Sequence, residues 1–429
     1  MACKAIRGFK DILPPETKVW QYIEETARFN FENFGFSEIR TPLLEKTEVF
    51  QRGIGEFTDI VEKEMYTFED RNGDSVTLRP EATAGIIRAY IENKLQARSS
   101  VQKLYTIGPM FRYERPQKGR LRQFHQINAE VIGSDDPLSD TEVIWVAWTI
   151  LNDLGIEDVR LEINSLGCPK CRPGHRKDLV LFLENNSEEL CPDCKRRMRS
   201  NPLRVFDCKK ESCKKALLLA PVIKHYWCPE CSEHLGQVLD NLETLQIPFV
   251  INPYLVRGLD YYQRTTFEIK AAHLGAQDTV AAGGRYDGLV EQLGGPKVPG
   301  VGMAIGVERA LLLIKDFEDE HGIDCFFAVL EKDGREYALE WMKGLRESGL
   351  KCDTVYGKKS LKAQLRNADK LNARYAIIIG EEEIDEEEAI LRDMLTHEQV
   401  RIPFDNVVEE IIKKVDEEEK KKAQEEEAK

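Results

Sequence analysis

Two strand-like runs, LYTIGPMFRYE (104–114) and RQFHQINAEVIG (122–133), flank the polar segment RPQKGR (115–120) and read as one hairpin with a long loop. A second hairpin is expected in MYTFEDRNGDSVTLRP (65–80), where Asn-Gly marks the turn. Further strand candidates are VRLEIN (159–164), TTFEIKAA (265–272), TVAAGGRY (279–286) and VGMAIG (301–306), with a helix predicted from about 307 to 315. Residues 17–34 repeat apolar side chains at helical spacing, and Gly35 sits where such a helix would stop. Hairpins with scattered helices, lacking regular strand–helix alternation, predict an α+β fold whose antiparallel sheet is flanked by helices.

Side chains two apart on a strand share a face, so Gln126, Asn128 and Glu130 point one way while Ile127, Ala129 and Val131 point the other. Five basic residues (Arg112, Arg115, Lys118, Arg120, Arg122) lead into that polar face, although the chain carries a formal charge of −14. Guanidinium is a planar fork of donors matched to phosphate oxygens. The hairpin is therefore a candidate phosphate site, with neutral and acidic groups beside it that can orient a small polar molecule.

The texture changes twice further on. Residues 168 to about 235 are rich in cysteine and in Lys/Arg, and from Cys325 the runs CFFAVL, KCDTVY and ARYAIIIG alternate with helical segments, which predicts a separate α/β domain with a partly parallel sheet. The end, DEEEKKKAQEEEAK, has no apolar residue larger than alanine and should be a solvated helix extension or disordered tail. The N-terminal sequence lacks the apolar run of a secretory signal and no span-length apolar stretch occurs, so a cytoplasmic protein without membrane contact is expected.

In such a compartment cysteine pairs suggest metal more than disulfides. Eight of the 11 cysteines pair closely: Cys168 with Cys171, Cys191 with Cys194, Cys208 with Cys213, and Cys228 with Cys231. Four knuckles would supply two tetrahedral Cys₄ sites for structural zinc. Three pairings are open; the spacing C-x₂-C-x₁₃-C-x₄-C favours Cys191, Cys194, Cys208 and Cys213 as one set. Between Cys191 and Lys215 nine Lys/Arg face three Asp/Glu, a patch suited to an RNA backbone.

FRYE…RQFHQINAE resembles motif 2 of the class II aminoacyl-tRNA synthetases, in the form carried by the histidyl-tRNA synthetase family. GFSEIRTPLLEKTEVF (35–50) is similar to motif 1 with its proline at Pro42, and GVGMAIGVERALLLI (300–314) to motif 3 with its arginine at Arg309. LVRGLDYY (255–262) and AAGGRYDGLVEQLGG (281–295) resemble the two histidine-specific motifs. TLRPEATAG (77–85) resembles the amino-acid-binding loop, with Ala82 in place of the usual glycine. The likeness covers nearly the whole chain.

The resemblance implies ATP-dependent activation of L-histidine and its transfer to histidine tRNA by a homodimer, with Mg²⁺ accompanying ATP. It puts Arg112 on the α-phosphate and substrate carboxylate, Glu114 near the adenine amino group, Phe124 against the adenine face, Arg309 on the γ-phosphate and Arg257 at the α-phosphate. Glu130 and Tyr262 would grip the imidazole, with Glu81, Thr83, Gln126 and Tyr286 around the rest of histidine. Arg115 and Gln117 would meet the acceptor end of tRNA, and the glycines of GVGMAIG would let backbone approach ATP.

The implied domains are a catalytic domain in two parts (1–166, with motifs 1 and 2, and 239–320, with motif 3), a cysteine-rich insertion (167–238), an anticodon-binding domain (324–415) and a charged tail (416–429). Two other readings compete: a catalytically silent paralogue serving as regulatory subunit of ATP phosphoribosyltransferase, and a synthetase for another amino acid. Against the first stand the intact motifs and the C-terminal domain; against the second stands LVRGLDYY.

Overall fold

The computed structural model describes the chain except residues 1–2, 56–57, 273, 275–277, 316–321 and 428–429. It divides into two compact units, Met1–Phe317 and Glu318–Lys429. The boundary predicted near 320 and the last two residues of the predicted tail fall outside the described residues.

Among the described residues, eleven strands belong to the first unit: β1 (Ser37–Glu38), β2 (Leu44–Lys46), β3 (Tyr66–Glu69), β4 (Ser75–Leu78), β5 (Gln102–Phe111), β6 (Gln123–Ile132), β7 (Val159–Ser165), β8 (Phe249–Ile251), β9 (Gln263–Ala271), β10 (Thr279–Arg285) and β11 (Gly300–Gly306). Eight form one sheet in the order β1-β5-β6-β11-β10-β9-β7-β8. The six central strands run antiparallel, and each edge strand joins in parallel. The parallel edges were not anticipated, because strands of two and three residues leave almost no periodicity to read. Strands β2, β4 and β3 make a small separate sheet. Its β3–β4 hairpin closes through residues 70–74, with Gly73 at φ +87°, a longer loop than a two-residue Asn-Gly turn.

Alternation on β6 sorts its two faces as the sequence predicts. Ile127, Ala129 and Val131 enter a core with Trp20, Ile23 and Phe31 of helix Glu16–Asn33, Val143 and Ile150 of helix Pro137–Asp153, and Val238 and Leu242 of helix Pro229–Thr244. Helices thus cover one face of the sheet and leave the other for polar side chains. The helix after β11 stops at Leu311, short of the predicted 315, and its end tightens through a 2.9 Å bond from the Leu313 N–H to the Ala310 carbonyl.

Arg285 of β10 is fully buried in the helix-covered layer. It donates to both carboxylate oxygens of the equally buried Asp140, to the Ser134 carbonyl at 2.9 Å and to Asp287 at 3.1 Å. His234 lies 3.3 Å from the same carboxylate. Burial works against the Asp140 charge, but Arg285 and His234 outweigh it and hold the carboxyl below its ordinary range.

The second unit carries β12 (Ile323–Val329), β13 (Cys352–Thr354), β14 (Ala373–Ile379), β15 (Glu388–Asp393) and β16 (Gln399–Pro403) in the order β13-β12-β14-β15-β16. The first three are parallel and the last two antiparallel, the partly parallel sheet that the buried runs predicted. The final helix, Val407–Glu427, continues through the charged segment as a helix extension.

Removing one partner of a buried ion pair strands the other charge, at a cost of about 3–5 kcal/mol. Asp140→Ala is therefore expected to lower the melting temperature of the first unit steeply, read by circular dichroism. Unchanged melting would show that the pair adds nothing to stability.

Candidate active site

On the uncovered face a cavity of about 290 Å³ opens over β6, β11, β10 and β9. Arg112, Arg257 and Arg309, from three distant parts of the chain, all line it, as do Glu81, Thr83, Glu114, Phe124, Gln126, Tyr262 and Tyr286. Glu130 lies directly behind the wall. It is fully buried and accepts hydrogen bonds from the Thr83 hydroxyl at 2.6 Å and from the Tyr286 hydroxyl.

The register of β6 against β11 explains how a carboxyl fits in a sheet. Glu130 faces Gly302 across the ladder, and a Cβ at Gly302 would stand 1.7 Å from Glu130 Oε2. At Gly300 a Cβ would lie 2.3 Å from the Tyr286 ring. These two glycines make room for the Glu130 and Tyr286 side chains, and Gly302 and Gly306 also line the cavity itself. With no charge partner, burial drives the Glu130 pKa up to about 8. Burial therefore favours its uncharged form near neutral pH.

Glu81 closes the start of helix Thr83–Glu92 by accepting from the backbone N–H groups of Thr83 at 2.7 Å and Ala84 at 2.9 Å. Ala82 takes φ −94° and ψ −32°, open to any L-residue, so the usual glycine is not needed there.

The cations are held provisionally. Arg257 pairs with Glu268, its Nε is buried without a hydrogen-bond partner, and its guanidinium lies 5.8 Å from the Tyr262 ring centroid. Burial opposes its charge, but Glu268 keeps its pKa above the ordinary value. Arg112 donates to the Pro80 carbonyl at 2.8 Å and lies 5.2 Å from the Phe124 ring centroid. Arg309 donates to the Thr279 carbonyl at 2.6 Å. Its pKa is lowered by burial and by the charges of Arg120 and Arg112.

Glu114 pairs with Arg120, and Arg120 and Arg112 hold it below its ordinary range despite burial. Its neighbour Glu64 is pushed up to about 7, by burial first and then by the Glu114 charge. The side-chain oxygen of Gln126 and the side-chain nitrogen of Asn128 are buried at the cavity without protein partners. Buried polar groups are normally satisfied, so these atoms fit a polar ligand.

Sequence reasoning did not assign Glu268, Tyr261, Glu64 or Asn128 to the site. Asn128 was legible, since it shares the alternation of Gln126 and Glu130. Glu268 and Glu64 become site residues only through pairings that no local pattern encodes. Arg115 and Gln117 stand outside the cavity, exposed on the hairpin loop, where Gln117 bridges to Arg120.

The eight paired cysteines gather as two groups, Cys168, Cys171, Cys228 and Cys231, and Cys191, Cys194, Cys208 and Cys213. This is the pairing the spacing favoured. Separations of 3.7 and 3.8 Å from Cys168 Sγ to Cys171 and Cys228, and 3.9 Å from Cys191 to Cys208, are near the ~3.8 Å edge of a tetrahedron with ~2.3 Å zinc–sulfur bonds. The Cys191 N–H points to Cys213 Sγ and the Cys228 N–H to Cys171 Sγ, both at 3.2 Å. These donors suit thiolate ligands.

A family model described as "Histidyl-tRNA synthetase" matches residues 8–169 and 211–310, and one described as "Anticodon binding domain" matches 324–414. The first passes over 170–210, within the insertion. A histidine–tRNA ligase of Trichlorobacter lovleyi is 53% identical over 90% of this chain and 92% of its own, and one of Geobacter sulfurreducens is 50% identical over 96% and 99%. Among solved structures, apo histidyl-tRNA synthetase of S. aureus superposes with a TM-score of 0.80 at 35% identity, covering 96% of this chain and all of its own. A Bacillus halodurans chain titled an ATP phosphoribosyltransferase regulatory subunit/histidyl-tRNA synthetase shares the fold at a TM-score of 0.64 and 20% identity, over 87% of this chain and 97% of its own.

A carboxyl whose pKa is about 8 when folded and near 4.5 when unfolded binds more protons in the folded state between those values, so it subtracts stability as pH rises through that window. Glu130→Gln cannot ionise. Its melting temperature relative to the parent is expected to be similar at pH 5 and clearly higher at pH 8; a difference independent of pH would contradict the buried neutral carboxyl.

Proposed function

The chain belongs to the histidyl-tRNA synthetase family, and from that premise we propose how its residues divide the work of charging tRNA with histidine at the expense of ATP. Two steps are required. The histidine carboxylate attacks the α-phosphorus of ATP and pyrophosphate leaves; then a ribose hydroxyl at the tRNA 3′ end attacks the histidyl carbonyl and AMP leaves.

The observation that carries the assignment is the meeting of Arg112, Arg257 and Arg309 at one cavity, where Arg309 feels the repulsion of Arg112. Three cations lining one cavity are stabilised by a triphosphate. ATP enters with its Mg²⁺: Arg309 takes the γ-phosphate, and Arg112 and Arg257 take the α-phosphate and the attacking carboxylate. Activation then rests on positioning two anions and neutralising the charge that develops between them. Phe124, already beside Arg112, offers a face for adenine, and Glu114 accepts from its amino group.

Imidazole has one donor and one acceptor when neutral. Glu130, with Thr83 and Tyr286 on its oxygens, takes one ring nitrogen and Tyr262 the other. Glu81 holds the α-amino group, and Gln126 supplies an unpartnered oxygen at the same pocket. A site built of buried hydrogen-bonding groups rejects analogues lacking the match by ~10⁴–10⁵, so no editing step is needed. Arg115 and Gln117, on the exposed loop, meet the acceptor end of tRNA, and the basic insertion follows its stem. The working molecule is a cytoplasmic homodimer joined through the motif 1 region around Pro42. Residues 1–166 with 239–320, 167–238, 324–415 and 416–429 act as catalytic domain, insertion, anticodon-binding domain and tail.

The two cysteine groups each hold a structural Zn²⁺. A regulatory paralogue would have no need of three arginines at one cavity, which argues against that reading.

Losing one preorganised donor costs roughly 10²–10³ in rate. Arg257→Ala is expected to slow histidine-dependent ATP–pyrophosphate exchange by at least that much, and near-parental exchange by the folded variant would refute its assignment. Elemental analysis of protein purified without chelators should find two zinc ions per chain; a value below one would remove the metal sites.

A further inference from the structure

The insertion leaves the sheet after β7 and returns through helix Pro229–Thr244. Cys168 and Cys171 stand at the exit, Cys228 and Cys231 at the return, so one cysteine group staples the two crossings. The other lies within the insertion, and its ligands Cys194 and Cys208 bracket residues 195–207. Both groups deliver an arginine to the segment 255–262, whose inner side lines the cavity with Arg257, Leu259, Tyr261 and Tyr262.

From the stapling group comes Arg172, next to Cys171. Its guanidinium donates to the Tyr262 carbonyl, and its Nε to the Leu166 carbonyl at 3.3 Å. From the inner group comes Arg204, which reaches Asp59 at 3.4 Å and Asp207 at 3.5 Å. Its third nitrogen is buried without a partner, and a Cβ built on Gly258 would lie 3.2 Å from it. Asn201 of the same stretch donates to Asp260 at 2.5 Å, and Arg197 pairs with Asp59 at the same distance. Leu203 and Phe206 pack both on the cysteine core of the insertion and on the core that contains Tyr261, Tyr262 and Tyr286.

We propose that the two metal sites of the insertion clamp the histidine-recognition segment from outside, with Arg172 and Arg204 as positioning residues that fix Tyr261 and Tyr262. The clamp rests on the assignment of that segment to histidine and on zinc at the cysteine groups. Neither arginine touches substrate. Both lie in residues 170–210, the stretch that the family model passes over. Short side-chain lever arms from a cross-linked core hold a loop more rigidly than loop packing alone, and a misplacement of ~1 Å in a binding group can cost ~10² in rate.

The test uses the full-length enzyme in pyrophosphate exchange. Arg204→Gln is expected to retain two zinc ions per chain and the parental KM for ATP, while KM for histidine rises roughly tenfold or more with a smaller change in kcat. Chelating zinc from the unmodified protein should raise the same constant, and adding zinc back should restore it, with folding followed by circular dichroism. A purely structural arginine in the insertion would leave KM for histidine unmoved. The clamp is overturned if Arg204→Gln keeps KM for histidine within about twofold of the parent, or if chelation does so in folded protein. Exchange by the unmodified enzyme with histidine and with other amino acids, measured alongside, tests the functional reading separately.

Discussion

Repulsion among guanidinium groups in a partly dry cavity is the constraint around which the first unit is arranged. Burial, and then the charges of Arg120 and Arg112, make the Arg309 charge harder to keep. The protein answers with carboxylates at the margins: Glu114 on Arg120, and Glu268 on Arg257. Neither neutralises the centre. Backbone carbonyls of Pro80, Gly119 and Thr279 accept from Arg112 and Arg309 and orient the guanidinium groups. On the proposed assignment a triphosphate would complete a set of donors that the fold has already aligned, leaving little reorganisation when the reaction begins.

The sheet makes this arrangement affordable. Its core face is packed against helices, and the buried Arg285–Asp140 pair joins β10 to helix Pro137–Asp153 beneath the site. Tyr286 follows Arg285 directly, so the ion pair on one side of the backbone fixes the hydroxyl that meets Glu130 on the other. Gly302 and Gly300 clear the space that Glu130 and Tyr286 occupy. Rigidity below the sheet and vacancy of side chains within it therefore serve the same end: a neutral carboxyl held at a fixed depth, where a mobile one would draw in water and ionise.

What could be read from the sequence was what repeats locally. The period-2 pattern of β6 predicted both faces, and helical spacing in 17–34 predicted helix Glu16–Asn33. Cysteine spacing gave the favoured grouping because short knuckles restrict which sulfurs can meet. The converging arginines were reached through resemblance, since positions 112, 257 and 309 have no local relation. Glu268 and Glu64 were missed for the same reason: Glu268 lies in an ordinary strand, Glu64 ends the short π-helical segment Ile60–Glu64, and each acquires its role from a partner elsewhere. That Gly300 and Gly302 clear space for Tyr286 and Glu130 was not legible, because a missing Cβ announces close approach without saying of what.

Charge is segregated along the chain as well as within the site. The net charge of −14 coexists with basic groups concentrated at the hairpin and the insertion. In the second unit the acidic run forms the short helix Glu381–Glu386, and Arg401 on β16 ties to both Glu382 and Glu386. β16 is an edge of that sheet, and edge strands with open hydrogen-bonding groups invite pairing with other chains. Ionised side chains held along this edge make such pairing costly. The acidic run is thus tied by ion pairs to the boundary strand of its own sheet.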